Sequence, residues 1–338
     1  MSKAAEARRI IATDAGAVAA ADRHRRRQRL ADLLRGQALV LVLVGLVVFF
    51  SLKSEYFFNT KNLLAVGGTA AVLGVMAITQ TFLMVSGGID ISIGSVAVMA
   101  GVILGLAYSG GINIWLSALL ALLVALGIGA LNGTLAVIIN VDPLVTTLGT
   151  YSVFLGAAYL ISGSTTLAIA SNSFAYLGAG EIAGIPFALV LFMVLLVVGL
   201  FIERMTIGGR AVYAIGGNLE AARLSGIRVN RVRFSLYALS GLSAGMAGII
   251  LTSQLSASSP DIGSTYLLSV ITAVILGGAS LKGGRGSLVG TLVAVAILGV
   301  LQNGFSLLSV SSYAQTMVLG ILLIAAVLLD QTTRRVRR

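Results

Sequence analysis

Long apolar stretches recur along almost the whole of this 338-residue chain, and they limit its possible folds more than any other feature. Most are long enough to cross a bilayer as a helix, which satisfies its own backbone hydrogen bonds. Charged residues make up only 10% of the chain, against about 25% in an average soluble domain, which excludes soluble and disordered folds. We therefore predict an all-α integral membrane protein with about ten transmembrane helices, at residues 37–52, 62–85, 92–109, 114–139, 144–162, 186–203, 232–255, 265–280, 286–304 and 313–330.

The basic residues indicate how these helices are oriented, because Lys and Arg collect in cytoplasmic loops. With the N-terminus inside and an even number of spans, 21 of the 23 Lys and Arg residues lie on the cytoplasmic side. Only Lys53 and Lys61 lie outside. We therefore expect both termini in the cytoplasm, with basic tails at 1–36 and 331–338 on either side of a transmembrane domain at 37–330.

The net charge of +11 requires no nucleic-acid partner, since membrane topology and contact with anionic membrane lipid account for it. The first apolar stretch starts far from Met1 and ends without a small-residue cleavage site, so we expect it to remain as an anchor. The outer segment 163–185 is rich in small and hydroxyl residues and is predicted to lie on the membrane or to re-enter it.

The residue types that catalysis and metal binding need are scarce. The chain has no cysteine, and its one histidine, His24, lies in an arginine-rich run, which leaves little basis for a metal site or a catalytic triad. The stretch GGASLKGGRG at 277–286 lacks the GK[ST] ending of an ATP-binding P-loop. We therefore expect no catalytic residue, no metal and no cofactor site in this chain.

The predicted spans carry no acidic residue near their middle, although carriers driven by ion gradients usually need one. This pattern weighs against a secondary transporter and fits a pathway for a neutral, hydroxyl-rich solute whose energy comes from elsewhere. Polar side chains in or near the spans are candidates for lining that pathway or forming a gate, and each can instead join two helices. They are Asp90, Ser92, Asn132, Thr146, Thr147 and Asn303, together with Gln80, Thr81, Gln254 and Gln302.

Small residues indicate where helices approach one another, because helices in lipid associate through close backbone contact. The stretches GTAAVLG at 68–74, ALGIGALNG at 125–133 and SGLSAGMAG at 240–248 are therefore predicted packing surfaces. Packing is the simpler interpretation of each stretch, and a solute contact is the alternative.

The segment SGGIDISIGS at 86–95 is predicted to interrupt the helices. Gly87 and Gly88 end one helix, and Ser92 is a candidate cap for the next. Asp90 can anchor a gate or cap backbone amides, of which capping is the simpler role. A short similarity at 258–268 places Asp261 at the position of Asp90 and indicates two inverted halves related by a shift of five spans.

The sequence predicts a short amphipathic helix within the long cytoplasmic loop 204–231. Asn218 can cap a helix that starts near Leu219, with Glu220 at the positive end of its dipole and Gly226 closing it.

The composition of this helix leaves two roles open. Ala221, Ala222 and Leu224 give it a small apolar surface, which suits docking in a groove of another protein. Arg223 and Arg228 suit a helix lying at the headgroup level of the membrane.

The loop sequence resembles a known family. Glu220, Ala221, Ala222 and Gly226 match E-A-A-x-x-x-G, the coupling-loop signature of ABC importer permeases. The wider run at 209–227, which ends in AIGGNLEAARLSGI, closely resembles the loop of ribose/xylose/arabinose-type sugar permeases, where proline is common at the position of Leu219. Three further blocks agree with that family in the expected order: SGGIDISIGS, DPLVTTLGT at 142–150 and LGGASLKGGRGSLVGTLVAVAILGVLQNG at 276–304.

This resemblance implies a permease subunit of a carbohydrate importer in the bacterial cytoplasmic (inner) membrane, similar in fold to the ten-helix permeases of the cobalamin importer class. The implied partners are a second permease subunit (identical or a sister chain), a cytoplasmic ABC ATPase that holds ATP and Mg, and an extracytoplasmic sugar-binding protein. The resemblance also implies an ATPase-coupling site in the loop 204–231, formed by Asn218, Glu220, Ala221, Ala222, Arg223 and Gly226.

The implied mechanism is alternating access, in which closure of the ATPase dimer on ATP moves the helix at 218–227 and switches the permease pair. Two alternatives are a self-sufficient transporter or channel for a small neutral solute and a membrane enzyme. Both leave the E-A-A-x-x-x-G loop unexplained. The residues do not distinguish among sugars and polyols as the solute.

Overall fold

The computed structural model describes residues 38–261 and 266–335. The predicted tail at 1–36 and residues 336–338 lie outside this part of the chain. Within it the chain is mostly helical, as predicted. The helices are α1 (Ala38–Lys53), α2 (Thr60–Val85), α3 (Ile93–Ser109), α4 (Ile114–Gly133), α5 (Pro143–Ser162), α6 (Asn172–Ala179), α7 (Phe187–Met205), α8 (Ile207–Gly217), α9 (Leu219–Leu224), α10 (Val229–Leu255), α11 (Tyr266–Leu276), α12 (Leu288–Leu307) and α13 (Ser312–Arg335).

Four two-residue strands complete the described secondary structure. Strand β1 (Leu167–Ala168) pairs antiparallel with β4 (Ala257–Ser258), and β2 (Glu181–Ile182) pairs antiparallel with β3 (Ile185–Pro186). The first pair joins the segment after α5 to the segment after α10.

Side-chain caps explain where several helices begin. Asn59 and Asn113 each accept the N–H group two residues ahead, at the starts of α2 and α4. Asp142 accepts hydrogen bonds from the N–H groups of Leu144 and Val145 at the start of α5, which has a proline in its first turn. Each cap satisfies N–H groups that the first turn of a helix leaves free, so these starts follow from the local sequence.

Six helices in the described parts are long and apolar enough to cross a membrane: α2, α4, α5, α7, α10 and α12. The four shorter apolar helices α1, α3, α11 and α13 fall in the remaining predicted stretches. The fourth stretch is irregular, because a π-helix (Thr134–Ile138) continues α4. The predicted end of the eighth stretch at residue 280 is wrong, because α11 ends at Leu276 and Gly278 turns the chain with φ +99°.

The helices α2 and α10 lie at the centre of the bundle. α2 packs against α11 and α12 from the second half of the chain, whereas α10 packs against α3 and α4 from the first half. α5 packs on α3, and α13 packs on α11 in the same way. This exchange of central helices between the two halves fits the predicted inverted repeat.

The predicted equivalence of Asp90 and Asp261 is not confirmed by their surroundings. Asp90 is completely buried. Asp261 is exposed and accepts a 2.7 Å hydrogen bond from the hydroxyl of Tyr159. The two carboxylates therefore do not occupy matching environments, even though the helices around them follow the same packing order.

The small-residue stretches are packing surfaces, as predicted. A Cβ added to Gly241 of α10 would overlap the carbonyl oxygen of Ala125 in α4, and one on Gly129 of α4 would contact α10 in turn. In α2, a Cβ on Gly74 would overlap the ring of Phe192 in α7. The absence of side chains at these positions lets the backbones approach closely.

Two segments predicted as loops are partly helical. The inner segment 204–231 contains α8 and α9. The outer segment 163–185 contains α6, whose Phe174 is buried, and the β2–β3 hairpin. α6 packs against the C-terminal end of α10, where a Cβ on Gly178 would overlap the backbone of Gln254. How this segment lies relative to the membrane stays a prediction.

Candidate coupling surface and translocation residues

The short helix α9 forms as the sequence predicts. The side chain of Asn218 accepts hydrogen bonds from the N–H groups of Glu220 and Ala221, each 3.0 Å long. Glu220 lies in the first turn and Arg223 in the last, where each charge is favourable to the helix dipole. Gly226 has φ +79°, the left-handed conformation that ends the helix. The predicted cap, charges and end of α9 are confirmed, and its role in coupling stays a prediction.

The two sides of α9 differ in what they contact. Ala222 is 3% exposed and packs with Ile215 of α8 and Val229 of α10. The expectation that Ala222 belongs to the exposed docking surface is therefore wrong, because this side chain attaches α9 to its own chain. Leu224 is 86% exposed, and Ala221 is exposed beside it. The exposed apolar side chains of α9 are thus Leu219, Ala221 and Leu224.

The C-terminal end of α8 contacts the transmembrane helices through Gly216. A Cβ there would overlap the carbonyl oxygen of Val85, the last residue of α2, and the amide of Gly284 in the loop before α12. The N–H of Gly284 also donates a 2.8 Å hydrogen bond to the carbonyl of Val85. At Gly216, two residues before Asn218, the end of α8 thus meets the end of α2 and the loop 277–287.

A second connection runs through Tyr213 of α8. Its hydroxyl donates a 2.6 Å hydrogen bond to Oε1 of Glu203 and lies 2.9 Å from the carbonyl oxygen of Gly286. The N–H of Leu288, the first residue of α12, donates to the same carboxylate oxygen at 3.3 Å. Burial and the nearby Glu203 carboxylate raise the pKa of the Tyr213 hydroxyl, so it remains protonated as the donor.

Glu203 and Tyr213 were not identified from the sequence as functional residues. Glu203 lies at the end of a predicted span, and Tyr213 lies within the loop run that resembles the sugar permeases. Glu203 and Tyr213 belong to different helices, so their spacing of ten residues in the sequence does not predict a hydrogen bond. Only the fold brings both next to the start of α12.

The carboxylate of Asp90 joins three helices where the chain turns between α2 and α3. Oδ1 accepts the N–H of Ser92 at 2.9 Å and its hydroxyl at 2.6 Å, and Oδ2 accepts the hydroxyl of Ser240 in α10 at 2.7 Å. The Nδ2 of Asn132 in α4 donates to the Ser92 hydroxyl at 2.7 Å. Asp90 thus caps a backbone amide, as predicted, and the expectation that the Ser92 side chain caps α3 is wrong.

Three of the predicted lining residues keep unused hydrogen-bonding capacity inside the described bundle. The buried atoms without a partner are both amide atoms of Gln80, Oδ1 of Asn132 and Oγ1 of Thr146. The neighbouring Thr147 instead donates to the carbonyl of Pro143 at 2.8 Å. An unsatisfied buried polar group costs about 1–3 kcal/mol, so these atoms are favourable contacts for water or a hydroxyl-rich solute.

Other predicted lining residues join helices. Asn303 of α12 and Asn62 of α2 exchange two side-chain hydrogen bonds, of 2.9 and 3.0 Å. The hydroxyl oxygen of Thr81 lies 2.9 Å from that of Thr291, and the amide of Gln254 donates to a carbonyl of α2 at 3.3 Å. These three candidates therefore take the alternative role that the sequence left open.

Gln302 lines a cavity of about 340 Å³ between α2, α11, α12 and α13. The aromatic rings of Tyr266 and Phe305 form part of its wall. The hydroxyl and amide groups around it belong to Thr69, Ser269, Gln302, Ser312, Gln315 and Thr316. The sequence identified Gln302 and not the others, although the pair Gln315-Thr316, directly before the apolar run of α13, was a usable signal. Such a mixed lining can contact the hydroxyls and the apolar faces of a small polar solute.

Comparisons with known proteins decide the family. Residues 62–327 match the family described as branched-chain amino acid transport system / permease component. The ribose import permease protein RbsC of Bacillus subtilis (strain 168) is 38% identical over 288 residues, which are 85% of this chain and 89% of that protein. RbsC of Escherichia coli (strain K12) is 35% identical over 305 residues, 88% of this chain and 94% of that protein. The chain belongs to the sugar permease family of ABC transporters.

This sugar permease has relatives with other named solutes. The autoinducer 2 import system permease protein LsrD of Escherichia coli O9:H4 (strain HS) is 35% identical over 299 residues, 86% of this chain and 90% of that protein. No solved structure matches the sugar permease significantly. Its family and its apolar helices make it a multi-pass protein of the bacterial inner membrane. The predicted family and localisation are confirmed.

Proposed function

We propose that this chain is the transmembrane permease subunit of an ATP-driven importer for a monosaccharide or a similar polyhydroxylated neutral solute. The named solutes of its relatives, ribose and autoinducer 2, support a sugar-like molecule. The family description names branched-chain amino acids, but a zwitterion needs charged partners. The hydroxyl and amide lining of the Gln302 cavity suits a neutral solute better.

The proposed architecture has ten transmembrane helices with both termini in the cytoplasm, as in the ten-helix permeases of the cobalamin importer class. The short helices α3 and α11 cross the bilayer, and the irregular segments 86–92 and 277–287 adjoin them at the cytoplasmic side. The distribution of Lys and Arg supports this orientation. It places α8, α9 and the loop 277–287 on the cytoplasmic side.

The observation that carries the proposal is the geometry of α9. Its outer side presents the exposed Leu224, while Ala222 on its inner side is packed into the permease. A helix that is apolar on the outside and attached firmly on the inside can dock in a groove and transmit force. In the proposed mechanism, closure of a separate ATPase that holds ATP and Mg moves α9, and this chain supplies no catalytic residue.

The force then passes to the transmembrane helices through two contacts of α8. The contact of Gly216 reaches the end of α2, and the hydrogen bonds of Tyr213 reach α7 and the start of α12. Movement of α2 and α12 changes the cavity that lies between them and alternates access to it. Asp90 and Ser92 hold the inner turn between α2 and α3 during this change, as a gate anchor.

Thr146 and Thr147 of α5, with Asn132, are proposed to contact the solute nearer the cytoplasmic end of the pathway. A second permease subunit, identical or a sister chain, completes the pathway, and an extracytoplasmic sugar-binding protein delivers the solute. The exposed apolar side chains of α5, such as Leu148 and Val153, give that second subunit or the lipid a surface to cover.

Co-purification with the cognate ABC ATPase tests this proposal. Only the permease is tagged, and the pair is extracted in a mild detergent. A Glu220→Ala, Leu224→Asp double variant changes the outer side of α9. The control is Ile207→Asp, which replaces another strongly exposed apolar residue (78% exposed) at the start of α8.

We expect the ATPase to be retained by the native chain and by the control, and to be lost from the double variant. Retention by the double variant would refute the docking role of α9. Absence of the ATPase from the native preparation would instead favour a self-sufficient transporter, and ion-driven uptake would then be measured.

A further inference from the structure

A second cavity, of about 300 Å³, lies at the cytoplasmic end of the bundle, on the side assigned by the proposed orientation. It is enclosed by the π-helix that follows α4, by α9 and by the first turn of α10. Its lining residues are Ala136, Val137, Ile138, Asn140, Leu219, Arg223, Asn230 and Arg233. The proposed coupling and translocation roles do not explain this cavity.

The lining carries positive charge without a matching acid. Arg223 comes from α9 and Arg233 from α10, and no carboxylate lines the cavity within the part of the chain that the structure describes. The Nε of Arg233 is buried and has no hydrogen-bond partner among those residues. A buried N–H donor without an acceptor is unfavourable, so an anion that accepts a hydrogen bond from this Nε would stabilise the site.

The chemistry of the lining fits a phosphate. A guanidinium offers a planar pair of N–H donors that matches two phosphate oxygens, and two arginines from different helices can hold one phosphate between them. The side-chain amides of Asn140 and Asn230 can donate to the remaining oxygens.

The surface next to the cavity is apolar and exposed. Ile138 is 64% exposed and Ile139 is 61% exposed, and Ile138 also forms part of the cavity wall. A soluble anion would leave this apolar surface exposed, whereas the acyl chains of a lipid would cover it. We propose that the cavity binds the phosphate of an anionic phospholipid from the inner leaflet, with its acyl chains on the exposed side of the π-helix.

This site has a consequence for the coupling helix. A phosphate held by both arginines adds a second connection between α9 and α10, beside the packing of Ala222 on Val229. The lipid then acts as a positioning ligand for α9, at the end of the helix opposite to its cap. Transport by this permease would depend on anionic lipid for that reason, in addition to the general attraction of basic loops to the membrane.

Lipid binding to the purified permease tests the proposal. The protein in neutral detergent is titrated with phosphatidylglycerol, and the bound lipid is counted by native mass spectrometry. Phosphatidylcholine with the same acyl chains is the uncharged comparison, and glycerol phosphate is the soluble one. The variant is Arg233→Gln, and the matched control is Arg231→Gln, which removes one exposed charge two residues away that does not line the cavity.

We expect phosphatidylglycerol to bind to the native chain and the control alike, and Arg233→Gln to weaken its binding about tenfold, as loss of a charge-assisted hydrogen bond requires. Arg233→Lys keeps the charge without the planar donor pair and should give an intermediate loss. This second variant tests the site if Arg233→Gln does not fold, and thermal unfolding is recorded for all variants.

Several results would overturn the assignment. Equal weakening by the Arg231 and Arg233 variants would show only general attraction to basic residues. Binding of phosphatidylcholine or glycerol phosphate as tight as that of phosphatidylglycerol would exclude an anionic lipid site. Unchanged lipid binding in Arg233→Gln together with loss of the ATPase would show that the cavity receives an acidic side chain of the partner.

Discussion

The hydroxyl of Tyr213 lies 2.6 Å from Oε1 of Glu203 and connects α8 to the C-terminal end of α7. The same carboxylate oxygen accepts the N–H of Leu288 at 3.3 Å. The side chain of Glu203 therefore links α8, the helix before α9, to the first residue of α12. Any displacement of α8 must either break these bonds or move α12 with it.

Replacement of Tyr213 by Phe removes the hydroxyl and keeps the ring. We expect the free energy of unfolding to fall by about 1.5 kcal/mol, the value of a hydrogen bond to a charged group. Because α12 is then released from α8, the amount of solute imported per ATP hydrolysed should also fall. Both are measured with the purified transporter, by thermal unfolding and by uptake into proteoliposomes.

The matched control is Tyr176→Phe. The Tyr176 hydroxyl donates a 2.9 Å hydrogen bond to the carbonyl of Glu181 in the outer segment. The Tyr176→Phe variant should lower the free energy of unfolding slightly and leave the amount of solute imported per ATP hydrolysed unchanged. An equal change of the ratio in both variants would contradict the coupling role of Tyr213.

The two adjacent glycines at the end of α8 should respond differently to substitution. A Cβ on Gly216 overlaps the backbone of Val85, so Gly216→Ala should displace α8, destabilise the protein by about 1–3 kcal/mol and reduce uptake. A Cβ on Gly217 meets no atom within 4 Å, so Gly217→Ala should be tolerated and can add helix stability of about 0.5 kcal/mol. Similar thermal stability and uptake for the two variants would disprove the close contact.

The hydrogen bond from Ser240 to Asp90 should contribute to stability. Ser240→Ala leaves one oxygen of a buried carboxylate unpaired, and we expect a loss of about 1–3 kcal/mol. Ser235→Ala is the control on the same helix, because the exposed Ser235 hydroxyl bonds only to a carbonyl of its own helix. Thermal unfolding in detergent measures both, and a loss of similar size in the control would argue against a special role for the Asp90 cluster.

Gln302 offers a test of the cavity between α2, α11, α12 and α13. Gln302→Ala removes an amide from its lining and should slow uptake about fivefold, the effect of losing a hydrogen bond of ~1 kcal/mol to the passing solute. Ribose is the first probe, presented with saturating binding protein. Ser306→Ala on the same helix lies outside the lining and should transport normally. Normal transport by Gln302→Ala would remove this cavity from the proposed pathway.

The sequence alone determined the features that depend on neighbouring residues. Hydropathy located the apolar helices, and the side chain of Asn218 fixed the start of α9, because a cap and the N–H groups it accepts are two or three residues apart. The packing role of Gly129 and Gly241 was also readable, since small residues in lipid-embedded helices have few other uses.

Only the tertiary structure decided which distant residues meet. Asn303 was a candidate for the pathway until the fold paired it with Asn62, 241 residues away in the chain. Ala222 was assigned to the outer side of α9 because a six-residue helix has too few residues to reveal its buried side. Its packing against Val229 reversed that assignment. The periodicity of apolar residues and the capping residues predict structure within one or two turns of a helix. Contacts between helices depend instead on how the whole bundle assembles.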